Sequence, residues 1–239
     1  MITSESRRAR RSRIATTTLV AGVVAAGVIT AGSVGVASTS KRLVGTFKIT
    51  KGTTVHGAIR GSYFRMVYPG GKVTTGPFFA NPNSRAANKT LTLIAPGTAG
   101  GLRTGAFQPA PHVAFDAKGD SLARSIIAPT SFTGINFSVL TASHDAQTGK
   151  KVTAPSIVVT NGHLSGDLRA FNAAWNHLYF NQGSPKANGS RPGLTSKVTG
   201  SYNAKTHAYV LNWSSAIIGG PFNGFTGVWH LTGTFKAGK

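Results

Sequence analysis

One short pattern recurs along this chain: Gly, a small residue, then an aromatic. It stands at Gly45-Thr46-Phe47, Gly61-Ser62-Tyr63, Gly105-Ala106-Phe107, Gly200-Ser201-Tyr202 and Gly233-Thr234-Phe235, with Gly227-Val228-Trp229 as a looser copy. A Gly within a strand permits a bend or bulge, and a ring two residues later can cover the bare backbone. The spacing is irregular, which argues against a solenoid. It points instead to a curled antiparallel sheet, either a barrel or a sandwich. The match between the Gly45 and Gly233 copies predicts that the first and last strands are neighbours, closing a barrel or joining the termini in one sheet. The fold class is therefore all-β and mainly antiparallel, with a single domain.

Strand and turn chemistry agree with this. Short runs of Val, Ile, Phe and Tyr alternate with polar residues. Turns are marked at Pro69-Gly70-Gly71, Asn161-Gly162, Asp116–Asp120, His144–Lys150 and Asn203–Thr206. Strands are expected over Arg42–Thr50, Thr54–Arg60, Ser62–Tyr68, Lys89–Ala95, His112–Asp116 and Ser121–Ala128. Others are expected over Phe132–Thr141, Ser156–Thr160, His163–Trp175, Ser196–Tyr202, His207–Ser214 and Phe225–Phe235. The clearest hairpin turns at Asn203–Thr206, with Val198, Gly200 and Tyr202 facing Tyr209, Leu211 and Trp213. Leu168, Phe171, Trp175 and Leu178 also fall at helical spacing, so a short helix there is the alternative to a strand. Long loops rich in Pro, Gly and Asn cover Gly76–Asn88, Pro96–Pro111 and Tyr179–Gly193.

The N-terminus reads as an export signal. Arg7, Arg8, Arg10, Arg11 and Arg13 precede an uncharged stretch from Ile14 to Ser40, and small residues lie at Gly35 and Ala37. This is the layout of a signal peptide helix over residues 1–37, cleaved after Ala37, with residues 38–239 exported. The alternative is an uncleaved membrane anchor over residues 14–37, long enough to span a bilayer. Either way the domain is secreted or held at the cell surface. It contains no Cys, and an exported domain of roughly 200 residues buries enough surface to fold without disulfides.

Charge narrows the chemistry. The chain has 26 Lys plus Arg, and removing the five Arg of the leader leaves 21 in the exported part. Against them stand four carboxylates, Asp116, Asp120, Asp145 and Asp167, for a balance of about +17. Such a surface attracts anionic partners. No nucleophile elbow, Walker loop, dinucleotide fingerprint or zinc motif is present. Asp116, Asp120 and Asp145 lie in turns, where Asp bonds the backbone. Asp167 lies in an expected strand, as a cross-strand partner for Lys or Arg. His163 shares its strand face, but no close His pair exists, so no metal site, catalytic residue or cofactor is assigned. The cations are scattered rather than striped, which argues against specific nucleic-acid binding.

Aromatics concentrate in the last third, interleaved with Asn and Gln. They read first as core. The alternative is a ligand surface, in which rings stack on sugar faces and amides bond hydroxyls. The residues nominated for it lie on two loops: Phe180, Asn181 and Gln182 on one, and Phe222, Asn223 and Trp229 on or beside the other.

Gly219–Phe235 (GGPFNGFTGVWHLTGTF), Tyr179–Lys186 (YFNQGSPK) and Val198–Ile217 (VTGSYNAKTHAYVLNWSSAI) together resemble a family of exported bacterial and archaeal β-rich proteins with no assigned activity. The resemblance spans about Leu164–Phe235. It implies an extracellular all-β domain and brings no catalytic residues. The Gly-Thr-Phe strands are also similar to those of avidin-like and lipocalin-like barrels, an analogy of fold alone. The expected function is binding or structural, at the cell envelope or outside it, with an anionic or neutral envelope polysaccharide as partner. Two alternatives stand: a hydrolase or lyase using Asp167 with His and Tyr, and a purely structural or adhesive surface protein. The membrane is touched only through the leader, if it is retained. The sequence does not set the oligomeric state.

Overall fold

Turn residues cut the chain into short extended pieces, and no helix forms among residues 39–238, the range described by the computed structural model. The leader expected over residues 1–37 lies outside the described residues. Two strands come first, β1 (Ser40–Leu43) and β2 (Gly45–Ile49), parted only by Val44. A small hairpin follows, β3 (Thr53–Val55) and β4 (Ala58–Arg60). Next are β5 (Tyr63–Lys72), β6 (Gly76–Phe78), β7 (Thr92–Leu93) and β8 (Gly101–Thr104). The middle of the chain supplies β9 (Thr130–Phe132), β10 (Ile135–Thr141), β11 (Ser156–Thr160) and β12 (His163–Asp167). The rest are β13 (Phe171–Trp175), β14 (Leu178–Asn181), β15 (Val198–Tyr202), β16 (Ala208–Ala216) and β17 (Thr226–Ala237).

The larger sheet runs β1-β11-β12-β15-β16-β17-β2-β8, antiparallel at every step. β1 and β2 form one extended run broken at Val44. That run pairs with β17 along one edge. Along the other it meets β8 and then β11, which continue one another through the Gly105 N–H to Pro155 carbonyl bond. The sheet therefore closes almost fully on itself, as a barrel does, and leaves little free edge. Phe47 lies opposite Phe235 in the β2–β17 ladder, so the two Gly-Thr-Phe copies are neighbours.

Local chemistry explains the joints. β11 and β12 turn on Asn161 and Gly162, both with positive φ, as a two-residue primed turn requires. Close backbone approach explains two of the repeated glycines. A Cβ at Gly200 would lie 1.9 Å from the Val210 carbonyl oxygen, and one at Gly233 would lie 1.7 Å from that of Lys48. Phe235, the ring that follows Gly233, fills the barrel together with Phe47 and Tyr209. Phe47 meets Tyr209 edge-on and Phe235 at a tilt, each with centroids 4.9 Å apart.

A second sheet, β14-β13-β10-β9, packs beside the barrel. It faces the half of β17 that pairs with β5 rather than β2. Phe171 of this sheet meets Trp213 at 5.2 Å and Trp229 at 5.1 Å, and those two indoles stack with planes 9° apart. The expected strand over His163–Trp175 is two strands in different sheets. A turn closed by the Phe171 N–H on the Leu168 carbonyl carries the chain between them. No helix forms over Leu168–Leu178. His112–Asp116 and Ser121–Ala128 are loop segments with isolated bridges, Phe115 to Ser121 and Pro96 to Ile127. Their alternating residues pack without a continuous ladder.

Candidate functional site

The loop joining β16 to β17 holds itself in shape. The Ile217 N–H donates to the Phe225 carbonyl at 2.7 Å, and the Gly219 N–H donates to Asn223 Oδ1 at 2.8 Å. This places the ring of Phe222 among others. Trp175 lies 5.1 Å away, Phe132 5.8 Å, Phe225 5.9 Å, Phe79 6.0 Å and Phe180 6.4 Å, centroid to centroid. Tyr68 joins at 4.9 Å from Phe225 and 5.8 Å from Phe79. Tyr68 is 39% exposed and Ile218 beside the loop is 52% exposed. Trp175, Phe79, Phe222 and Phe225 are partly exposed. The five rings Tyr68, Phe79, Trp175, Phe222 and Phe225 make a continuous aromatic crown at the surface.

Beneath the crown lies a cavity of about 40 Å³, bounded by Phe64, Phe137, Phe180, Phe222, Gln182 and Trp229 among others. The volume exceeds what one water needs, but water also needs polar partners. Gln182 is the only amide on that wall, and its polar atoms serve the fold. Its Oε1 accepts the Trp229 indole N–H at 3.1 Å, its carbonyl accepts that of Trp213 at 2.8 Å, and its Nε2 donates to the Asn181 carbonyl at 3.3 Å. The cavity is therefore suited to an apolar group.

The six nominated residues separate into two sets. Phe180, Gln182, Phe222 and Trp229 surround this one cavity, so the two loops do meet. Of these, only Phe222 reaches solvent. Asn223 is exposed beside it, capping its own loop. Asn181 is buried and turned elsewhere. Its Nδ2 donates to Asp145 Oδ1 at 2.5 Å and to the Arg169 carbonyl at 3.0 Å. Sequence reasoning missed Tyr68 and Phe79 as crown members. Both lie over a hundred residues from the nominated loops, and the signal was an aromatic beside a Pro-Gly turn and a Phe-Phe pair in a loop.

Asn181 leads to a buried cation. Lys186 donates to the Asn181 carbonyl at 2.6 Å, Ser215 Oγ at 2.7 Å and the Ala216 carbonyl at 2.5 Å. Burial pushes its ammonium down to about 8, and nearby Asp145 partly offsets this. All three N–H groups serve neutral acceptors, so Lys186 ties the Tyr179–Gly193 loop to β16. The four carboxylates are equally committed. Asp116 Oδ1 accepts the Lys118 and Asp120 N–H groups, and Asp120 accepts the Asn136 N–H and Nδ2. Asp145 Oδ2 accepts the Thr148 N–H and hydroxyl. Asp167 pairs with Arg169 two residues on, at 2.6 Å, rather than across the sheet. Asp167 lines a groove with Arg191 and Lys197 but with no His or Tyr. Among the described residues no three His, Asp or Glu side chains gather as metal ligands.

Set beside protein-family models, curated proteins and solved structures, the chain finds no match.

Proposed function

We propose that this domain binds a polymer of the cell envelope, outside the membrane, through the aromatic crown. The observation that carries the reading is the continuous set of five partly exposed rings around Phe222. Phe79, Trp175, Phe222 and Phe225 pack on the core beneath yet keep part of their faces in water, and contiguous exposed apolar patches mark binding surfaces. Flat rings accept the C–H face of a sugar, while the exposed amide of Asn223 offers a polar contact at the rim. The signal peptide expected over residues 1–37 supports the reading, since export would bring the domain to such polymers.

Retention on purified wall polysaccharide at physiological salt tests this. The intact domain is expected to be retained. Phe222→Ala is expected to weaken retention roughly tenfold, the effect of losing one good stacking contact. Equal retention of the variant, or none for the intact domain, removes the reading. A structural or adhesive role is the second reading, and the burial of Trp213, Trp229 and Phe180 supports it. It predicts that Phe222→Ala alters stability and nothing else.

A further inference from the structure

We propose that the outer face of β8, β2 and β17 is a docking surface for a phosphate-bearing polyanion, separate from the aromatic crown. Strand alternation fixes which side chains share this face. Phe47, Ile49, Leu102 and Phe235 point into the barrel and are buried, whereas Lys48, Arg103 and Lys236 on the same strands are exposed. Register then brings the three cations together. Thr46 of β2 pairs with Arg103 on one side and with Lys236 on the other, and Lys48 follows two residues along. Neighbouring strands lie ~4.8 Å apart and same-face residues on one strand ~7 Å apart. Arg42, exposed on the continuing strand β1, extends the row past Val44.

Among the described residues no carboxylate neutralises this group. None of the four carboxylates lies on β1, β2, β8 or β17, and each is held elsewhere by the bonds described above. Like charges gathered on one sheet face oppose folding. The cluster is therefore poor as a stabilising device and good as a counter-charge. A row of cations on a nearly closed sheet suits a linear anion whose charges repeat, and binding would release the ions condensed on it. Lys and Arg both serve phosphate oxygens, Arg in two-pronged fashion.

The probe is long-chain inorganic polyphosphate, titrated against the domain at several salt concentrations. Lys48→Gln, Arg103→Gln and Lys236→Gln together are expected to weaken binding at least tenfold. They should also flatten the dependence of affinity on salt by about one unit per cation removed. Lys72→Gln, Lys118→Gln and Arg124→Gln remove the same charge from other exposed positions and are expected to change affinity less than twofold. Equal losses in the two triple variants, or no loss in the first, would falsify the proposal and leave only diffuse attraction. The first variant should melt at the same temperature as the parent or higher, so lost binding is not lost fold. Melting well below the parent overturns the idea that the cluster is unsupported by the fold. Vesicles of phosphatidylglycerol form a second arm. Binding there that exceeds polyphosphate binding and is abolished by the same variant replaces the polymer by a membrane surface and overturns the assignment. Phe222→Ala should bind polyphosphate as the parent does, so failure of the crown and failure of this face are told apart.

Discussion

β17 passes through two surroundings, and its two halves differ in instructive ways. Its C-terminal half, from Gly233 to Ala237, lies against β2 inside the barrel. Its N-terminal half, from Thr226 to His230, lies against β5 beneath the crown. Both halves turn an aromatic inward. Phe235 meets Phe47 at 4.9 Å, and Trp229 meets Phe64 at 4.6 Å. What covers those rings differs. In the barrel the same sheet returns over them, and bare glycines let the backbones close up. Beneath the crown the cover is a separate sheet and a loop, which leave a cavity below and five rings at the surface. One residue class thus gives packing where the sheet closes on itself, and a candidate binding surface where a loop must finish the job.

The contrast can be broken most directly by truncating one ring from each end. Phe47→Ala should cost about 3–5 kcal/mol in urea unfolding, the usual range for a buried Phe. Phe222→Ala, at a partly exposed ring, should cost about 1 kcal/mol and act mainly on binding. Equal stability losses would erase the distinction between the ends. Lys186 offers the next largest effect. Its folded ammonium titrates at about 8, against 10.5 for the ordinary side chain. The unfolded chain therefore holds this proton across a range in which the fold has released it. Stability from this group is complete above pH 10.5 and is lost as pH falls to about 8, a difference of roughly 3 kcal/mol. Lys186→Met should lack that slope when melting is followed from pH 7 to 11; an identical slope in the variant rejects the argument. Gln182→Ala leaves the Trp229 indole N–H without its acceptor at 3.1 Å, which should cost about 1–3 kcal/mol. The smallest effect is expected at Asp167→Asn. The Arg169 pair is about one-third exposed on each side, so the loss should stay below about 1 kcal/mol and shrink with salt.

Much of the barrel end was legible from local pattern. The β15–β16 hairpin follows from alternation around Asn203–Thr206, and Gly200 does lie opposite Leu211. The pairing of β2 with β17 was visible because the same triplet recurs where two strands must approach closely. The crown end was less legible, because it is built by long-range contact. Nothing in the local sequence around Tyr68 or Phe79 says that the β16–β17 loop will arrive beside them. The change of sheet between Asp167 and Phe171 was hidden for a related reason. Leu164, Leu168 and Phe171 are apolar on both sides of the turn, so the run reads as unbroken. Asn181 looked like a ligand contact because its neighbours are aromatic. Its bonds to Asp145 and Arg169 depend on segments remote in the chain.

The seam at Val44 has a consequence for how the molecule is made. β2 is synthesised long before one of its two ladder partners, β17, with Ile49 lying opposite Gly233. A chain emerging N-terminus first holds β2 with one edge unfilled until the strands between it and β17 have been delivered. Pairings of such high contact order form slowly. The ring is thus the last thing to snap shut, and losing β17 would strip neighbours from β2, β5 and β16 in a single stroke.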